Sequence, residues 1–271
     1  MAISRSPSGD GGKHMSNSVD TCFNNKHVVI SGGGSGVGAE IAAQFAASGA
    51  KVCILGRRLS NLEAVASKTS ALPIVCDVTD AKNVSNAIGV ARDKHGPIAI
   101  AVANAGSAIS KPFASMTAGD FSSMMDVNAL GVFNLWHACL SDMREQEWGR
   151  MLTIASSAGL KGYSYVSGYC ATKHAVVGLT RALALELSRT GITVNAVCPG
   201  FVDTPMLDDS IKRIVATTGK KAEEAAAILK ANNPMKRFIT TEEVASTVMW
   251  LASDRSSSVN GQAVSVNGGE V

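Results

Sequence analysis

Tyr169-Cys-Ala-Thr-Lys173 sets a phenol and an amine four residues apart. On a helix that spacing puts both on one face. A free tyrosine keeps its proton up to a pKa of about 10, and an ammonium fixed beside it favours the phenolate and lowers that value. Such a pair can donate and accept a proton near neutral pH. The same five residues also suit an ordinary helix surface, so their meaning rests on what shares their neighbourhood. Upstream, Ser156 and Ser157 follow the apolar run Gly149 to Ile154, which reads as a strand. A hydroxyl just past the carboxyl end of a parallel strand lies on the ligand side of the sheet. Asn128 and Gly131 lie within an apolar stretch, Phe121 to Met143, that reads as one long helix. Both residue types cost helix stability, which signals either function or a close helix contact.

A second constellation lies near the start. Lys26 to Ser31 reads as a buried strand, Ser31-Gly-Gly-Gly-Ser-Gly-Val-Gly38 as a turn, and Ala39 to Ser48 as a helix. Strand, glycine loop and helix together cradle a pyrophosphate: glycines admit the backbone closely, and the helix N-terminus offers N–H groups and positive dipole. The spacing is Gly32-x-x-x-Gly36-x-Gly38, with Val37 where a plain Gly-x-Gly-x-x-Gly would differ. The next strand, Lys51 to Gly56, ends without the acid that would accept from the ribose hydroxyls of NAD. Arg57 and Arg58 follow instead, and an arginine can grip a 2′-phosphate through two hydrogen bonds. That favours NADP(H) and leaves NAD(H) open, since both arginines could equally be solvated.

The elements that must position these groups alternate regularly. A helix from about Ser60 to Ser67 leads to a strand, Leu72 to Cys76, closed by Asp77. Asp77 suits an adenine amino group or a helix cap, a role Asp80 can also fill. Ile98 to Val102 is a fourth strand, followed by the small residues Ala103-Asn104-Ala105-Gly106. Gly168 to Ser188 is a long apolar helix carrying the Tyr–Lys pair, Thr193 to Cys198 a sixth strand closed by Pro199-Gly200, and Gln262 to Gly269 a seventh strand with a turn. Such alternation predicts an α/β fold of three layers, a Rossmann-type doubly wound parallel sheet of about seven strands with helices on both faces. One dinucleotide-binding catalytic domain over 23–271 accommodates all of it.

Composition excludes several alternatives. The chain of 271 residues is 46% apolar and 17% charged with a net charge of +3, the profile of a packed globular protein. The absence of a basic block with interleaved aromatics argues against nucleic acid, and no apolar run reaches the roughly 18 residues that span a bilayer. Cys22, Cys53, Cys76, Cys139, Cys170 and Cys198 form no Cys-x-x-Cys pair; free thiols fit a reducing, cytoplasmic compartment. The histidines show no metal-ligand spacing, so no metal site is expected. Residues 1–22 are polar and expected to be mobile; His14-Met15 looks like a cloning junction, with Met15 as a candidate natural start.

Taken together, the glycine loop, Asn104-Ala-Gly106, Asn128, Ser156, Tyr169-x-x-x-Lys173, Pro199-Gly200 and Thr204 resemble the short-chain dehydrogenase/reductase family from about Lys26 to the C-terminus. Ser31 stands where the family usually has Thr, and Ala103 where it usually has Asn. The resemblance implies that Tyr169 exchanges the proton at the substrate oxygen. It implies that Lys173 binds the nicotinamide ribose and holds the phenol's pKa down, and that Ser156 orients the carbonyl or alcohol. Asn128 would support a proton-relaying water. Ser156, thirteen residues before Tyr169, fits the family pattern better than Ser157, which remains open. The cofactor would lie against Gly32, Ser35, Gly36, Val37, Gly38, Arg57, Arg58, Asp77, Val78, Asn104, Ala105 and Gly106. It would also meet Tyr169, Lys173, Pro199, Gly200, Val202 and Thr204.

The segment 204–235, helical in composition at Ala222 to Lys230, corresponds to the family's substrate lid. Thr190 to Met206 resembles polyketide ketoreductases, and Asn233 to Phe238 resembles 3-hydroxybutyrate dehydrogenases. Both imply a 3-oxo or 3-hydroxyacyl substrate for an NAD(P)-dependent oxidoreductase, with a homotetramer covering the excess apolar surface of the long helices. A dehydrogenase of an unrelated cyclic or small alcohol remains an alternative. So does a silent nucleotide sensor, although such proteins usually lack the Tyr or the Lys.

Overall fold

A computed structural model describes residues 23–271 of the chain; the expected mobile segment, with Cys22, lies outside the described residues. Short β-branched runs become seven strands: β1 His27–Ser31, β2 Lys51–Gly56, β3 Leu72–Val75, β4 Ile100–Ala103, β5 Gly149–Ile154, β6 Ile192–Pro199 and β7 Ala263–Val266. They form one sheet in the order β3-β2-β1-β4-β5-β6-β7, with every pair parallel. The chain leaves β1 toward one edge and returns to β4 on its other side. That reversal opens a crevice at the carboxyl ends of β1 and β4, where ligands of such sheets bind.

Side-chain alternation along a strand feeds two cores. Val28 and Ile30 pack on one face with Ile41, Phe45, Leu62, Val244 and Leu251, whereas Val29 packs on the other with Ile88, Leu135, Trp136 and Val176. The first face is covered by α1 (Gly36–Ala47), α2 (Leu59–Thr69) and α9 (Thr241–Ala252). The second is covered by α3 (Ala81–His95), α5 (Gly131–Glu145) and α6 (Ser167–Glu186). Three-layer doubly wound architecture is therefore as expected.

Several strand and helix ends shift by one or two residues, as for β4, which begins at Ile100 and not at Ile98, and three larger differences each have a local reason. Helix α1 opens at Gly36, so Gly36 and Gly38 belong to its first turn and not to the loop before it. The single helix expected over Phe121 to Met143 is in fact α4 (Ala118–Met125), a π-helical turn (Asp126–Leu130) and α5. The π turn carries Asn128, and such bulges slip the helical register where a side chain must be re-aimed. Helix α9 had no counterpart in the sequence reading. It is fixed by a capping box, in which Thr240 accepts from the Glu243 N–H and Glu243 accepts from the Thr240 N–H.

Between β6 and α9 lie α7 (Pro205–Thr218) and α8 (Ala222–Lys230). Leu207 is the one buried residue of α7 and Ala225 the one buried residue of α8. This pair spans the expected lid, and most of its side chains are left exposed or half-buried.

Candidate active site

The glycine turn is shaped by contacts that a side chain would destroy. Gly32 has a φ of +66°, and a Cβ there would lie 2.8 Å from the Cα of Ala105. A Cβ on Gly38 would run into the Gly32 carbonyl and the Asn104 amide, so α1 can approach the turn this closely only with glycine at that position. Asn104 holds the turn from across the crevice: its Nδ2 donates to the carbonyls of Ser31 (3.1 Å) and Gly32 (3.0 Å). The Ser31 hydroxyl accepts from the backbone N–H groups of Asn104 and Ala105, each at 3.1 Å. Ser31 thus supplies the hydroxyl that a Thr would, which explains why that departure is harmless. Gly36 faces Thr204, 3.2 Å from a would-be Cβ, so the start of α7 closes over the glycine turn. Ser35 is exposed at the rim and Val37 packs against the neighbouring core.

At the far end of this groove, Arg57 and Arg58 are exposed beyond β2. Asp77 is not a helix cap. Its carboxylate accepts from the Thr79 N–H (3.0 Å) and hydroxyl (2.8 Å), while Asp80 caps α3 through the Lys82 and Asn83 N–H groups. These bonds to Thr79 hold the Asp77 carboxyl below its usual range, and the charge of Arg57 acts in the same direction. Val78 is buried against Gly131, and its carbonyl accepts from Asn134. The cradle fits a dinucleotide: tight glycines, a helix N-terminus and a cationic end.

The chemical groups gather at the carboxyl ends of β4, β5 and β6. Ser156 follows β5 directly; its Oγ accepts from the Ala158 N–H at 3.1 Å and lies against the Tyr169 hydroxyl. Ser157 is buried and otherwise engaged, donating to the Pro199 carbonyl (3.3 Å) and accepting from Asn267 (3.1 Å). Of the two serines only Ser156 faces the phenol. Tyr169 is half-buried in the first turn of α6, and Lys173 one turn on is 5% exposed. The Lys173 Nζ donates to the Ile154 carbonyl at 2.8 Å and lies 5.6 Å from the centre of the Tyr169 ring.

The expected electrostatics need correction here. Burial pushes the Tyr169 phenol up to about 12, and the Ser156 hydroxyl, not Lys173, works against that push. The same burial lowers Lys173 to about 8. At about 8 the lysine still carries its proton at neutral pH, while desolvation is the larger influence on the phenol.

Asn128 joins three segments. Its Oδ1 accepts from the Ser107 N–H (2.8 Å), and its Nδ2 donates to the Ser107 carbonyl (2.8 Å) and the Thr172 hydroxyl (3.1 Å). Gly106 fits between Asn128 and Lys173, with a would-be Cβ 3.3 Å from Asn128 Oδ1 and 3.9 Å from Lys173 Nζ. Asn128 thus ties the π turn to α6 through Thr172. Ser107 and Thr172 escaped the sequence reading, although each adjoins a motif residue and carries a group able to meet an amide. Pro199 and Gly200 line the groove beside β7, where the Gly200 N–H donates to Val266. Val202 bridges to Ile239, and its carbonyl accepts from the Thr204 hydroxyl.

With this geometry in view, comparison with known proteins is specific. A family model described as enoyl-(acyl carrier protein) reductase matches residues 32–270. The chain is 37% identical to levodione reductase of Leifsonia aquatica, covering 93% of this chain and 97% of the relative. It is 32% identical to D-beta-hydroxybutyrate dehydrogenase of Rhizobium meliloti, covering 90% and 98%. Among solved structures, levodione reductase superposes with a TM-score of 0.87 at 36% identity, covering 92% of this chain and 98% of the other. An actinorhodin polyketide ketoreductase with NADPH gives a TM-score of 0.87 at 32% identity, covering 90% and 97%.

Proposed function

The chain belongs to the short-chain dehydrogenase/reductase family, and we propose that it interconverts a 3-oxo and a 3-hydroxyacyl compound, preferring NADP(H). It is an oxidoreductase of the ketone/alcohol type. The observation that carries the site assignment is the meeting of Ser156, Tyr169 and Lys173 at the crevice, one groove away from the glycine turn.

The bound nicotinamide supplies or takes up the hydride. Everything else falls to the chain's own residues. Tyr169, kept protonated by burial, donates its proton to the substrate oxygen as a ketone is reduced and recovers one in the reverse direction. Ser156 lies beside that phenol and orients the same oxygen. Lys173, anchored on the Ile154 carbonyl, would hold the cofactor ribose, and Asn128 fixes the Ser107 backbone so that the lysine and the Gly106 turn keep their spacing. Arg57, exposed beyond β2, would hold the 2′-phosphate. Helices α7 and α8 cover the substrate and exclude water.

The acyl assignment is supported by the ketoacyl reductases and the hydroxybutyrate dehydrogenase among the relatives. A cyclic diketone is the second reading, favoured by the levodione reductase match in both sequence and structure. Self-association into a homotetramer would cover Phe121, Leu130 and Phe133, exposed along α4, the π turn and α5. Five buried free thiols favour a cytoplasmic setting. A panel of acetoacetyl thioester, 3-hydroxybutyrate and cyclic diketones, each with NADPH/NADP and NADH/NAD, tests the reading. The highest kcat/KM is expected for the thioester with NADPH. A higher value for the cyclic diketone would replace the acyl assignment, and silence across the panel would overturn both.

A further inference from the structure

The penultimate residue, Glu270, carries a side chain only 1% exposed. A carboxylate ordinarily stays in water, because burial strips away its hydration. Here Oε1 accepts a short 2.6 Å hydrogen bond from the Tyr163 hydroxyl and pairs with Lys161 Nζ at 3.1 Å. Burial and the Glu270 carboxylate raise the Tyr163 phenol far above its usual pKa, so its proton stays in place as the donor. The other oxygen, Oε2, is buried without a hydrogen-bond partner among the described residues and abuts Gly200, where a Cβ would lie 3.2 Å away. The Glu270 N–H donates to Asn267 Oδ1 (3.1 Å), Asn267 Nδ2 to the Ser157 hydroxyl (3.1 Å), and that hydroxyl to the Pro199 carbonyl (3.3 Å). The Tyr163 ring meets Phe201 edge-on at 6.2 Å. Lys161 and Tyr163 lie on the segment between Ser156 and Tyr169, while Pro199, Gly200 and Phe201 form the exit of β6.

We propose that Glu270 is a positioning residue. Its buried carboxylate clamps the segment leading to Tyr169 against the Pro199–Gly200 turn, and so fixes the proton donor relative to the cofactor side of the crevice. This rests on the dehydrogenase reading above. An incompletely satisfied buried charge is poor value as a source of stability. Its worth lies in the geometry it fixes, because an error of about 1 Å in placement can cost on the order of a hundredfold in rate.

The test compares wild type, Glu270→Ala, Glu270→Gln, Tyr163→Phe and the double variant Glu270→Ala/Tyr163→Phe. Thermal midpoint, NADPH affinity, kcat and KM are measured with whichever panel ketone the wild type turns over. Glu270→Ala is expected to lower kcat about tenfold or more while NADPH affinity stays within about threefold (some 0.7 kcal/mol). Glu270→Gln, which keeps an acceptor for Tyr163, should recover part of that loss. The double variant should be no slower than Glu270→Ala, because both changes open the same clamp. Unchanged kcat in folded Glu270→Ala, or fully additive losses, would overturn the proposal. A Glu270→Ala chain that does not fold passes the decision to Glu270→Gln and Tyr163→Phe, where unchanged kcat in both would overturn it. Wild-type silence across the panel would instead overturn the dehydrogenase reading, and the clamp with it.

Discussion

Helix α6 and the pair α7–α8 are built on opposite terms. The first buries Lys173, Val176, Val177, Thr180 and Ala184 along its length, and its Gly168 lets it press onto Met124 of α4. The second pair buries Leu207 and Ala225 and leaves Met206 and Ile228 exposed. Elements with few buried contacts open at low free-energy cost, and binding loops and lids are drawn from them. Proton chemistry needs fixed distances and belongs on the rigid helix, whereas admission and selection of substrate need movement and belong on the loose pair. Reaction type and substrate choice should therefore be separable by mutation.

The largest effect should come from the rigid helix. Tyr169→Phe removes the proton donor and should lower kcat by about a hundredfold to ten-thousandfold, with fold and NADPH affinity retained. Steady-state rates and a nucleotide titration check this, and near-wild-type turnover would remove Tyr169 from the mechanism. Next, Ser156→Ala should lose far more turnover than Ser157→Ala. The latter should show its cost in a lower melting temperature, because the Pro199 and Asn267 partners lose their bond. A reversed order would move the catalytic role to Ser157.

Exchange of residues 205–234 with those of a family member of different specificity should change the preferred ketone and leave NADPH affinity nearly constant. If preference stays with the parent, other loops shape the pocket and the contrast between α6 and α7–α8 fails. A smaller shift is expected at the far end of the groove. An arginine–phosphate contact is often worth about 1.5–3 kcal/mol, so Arg57→Ala should lower kcat/KM for NADPH relative to NADH by roughly tenfold. Because Ser35 brings no charge to the glycine turn, the proposed wild-type preference should be moderate. An unchanged ratio would mean that the arginine serves only solvent.

The smallest effect lies at the opposite end of β1. His27 is buried, its Nδ1 donating to the Gly96 carbonyl (2.7 Å) and its Nε2 facing the Cys53 thiol (3.3 Å). Burial lowers its pKa from 6.5; the charges of His95 and Lys51 act in the same direction, while Gly96 and Asp142 act against it. The neutral ring is the native form, so its contribution to stability is complete above pH about 6.5 and declines as acid protonates the unfolded chain first. Denaturant midpoints at pH 7.5 and 5.5 should fall more for wild type than for His27→Gln, and equal falls would exclude His27 as the cause.

Much of the strand framework was legible because each strand is a short β-branched run bounded by glycine or a polar turn, and local pattern suffices for that. The glycine turn, Ser156 and the Tyr169–Lys173 pair were legible for a related reason, since their chemistry depends on spacing along one or two elements. The π turn at Asn128 was not, because one extra residue in a helical turn leaves apolar periodicity almost intact. Helix α9 could have been read from Thr240 and Glu243, whose three-residue spacing marks a capping box. The direction of the Tyr169 shift was misread because spacing reveals a neighbouring charge but says nothing of how deeply both groups are buried. Glu270 was overlooked for the same reason, as a charged residue beside the C-terminus reads as solvated until its partners are in place.

The most direct test of hydride transfer at this crevice uses NADPH deuterated at both C4 positions with the preferred ketone, followed by mass spectrometry of the alcohol. One deuterium should appear at the new carbinol carbon with wild type, and none above background over the same interval with Tyr169→Phe. An alcohol free of deuterium, or equal label from both proteins, would contradict the account.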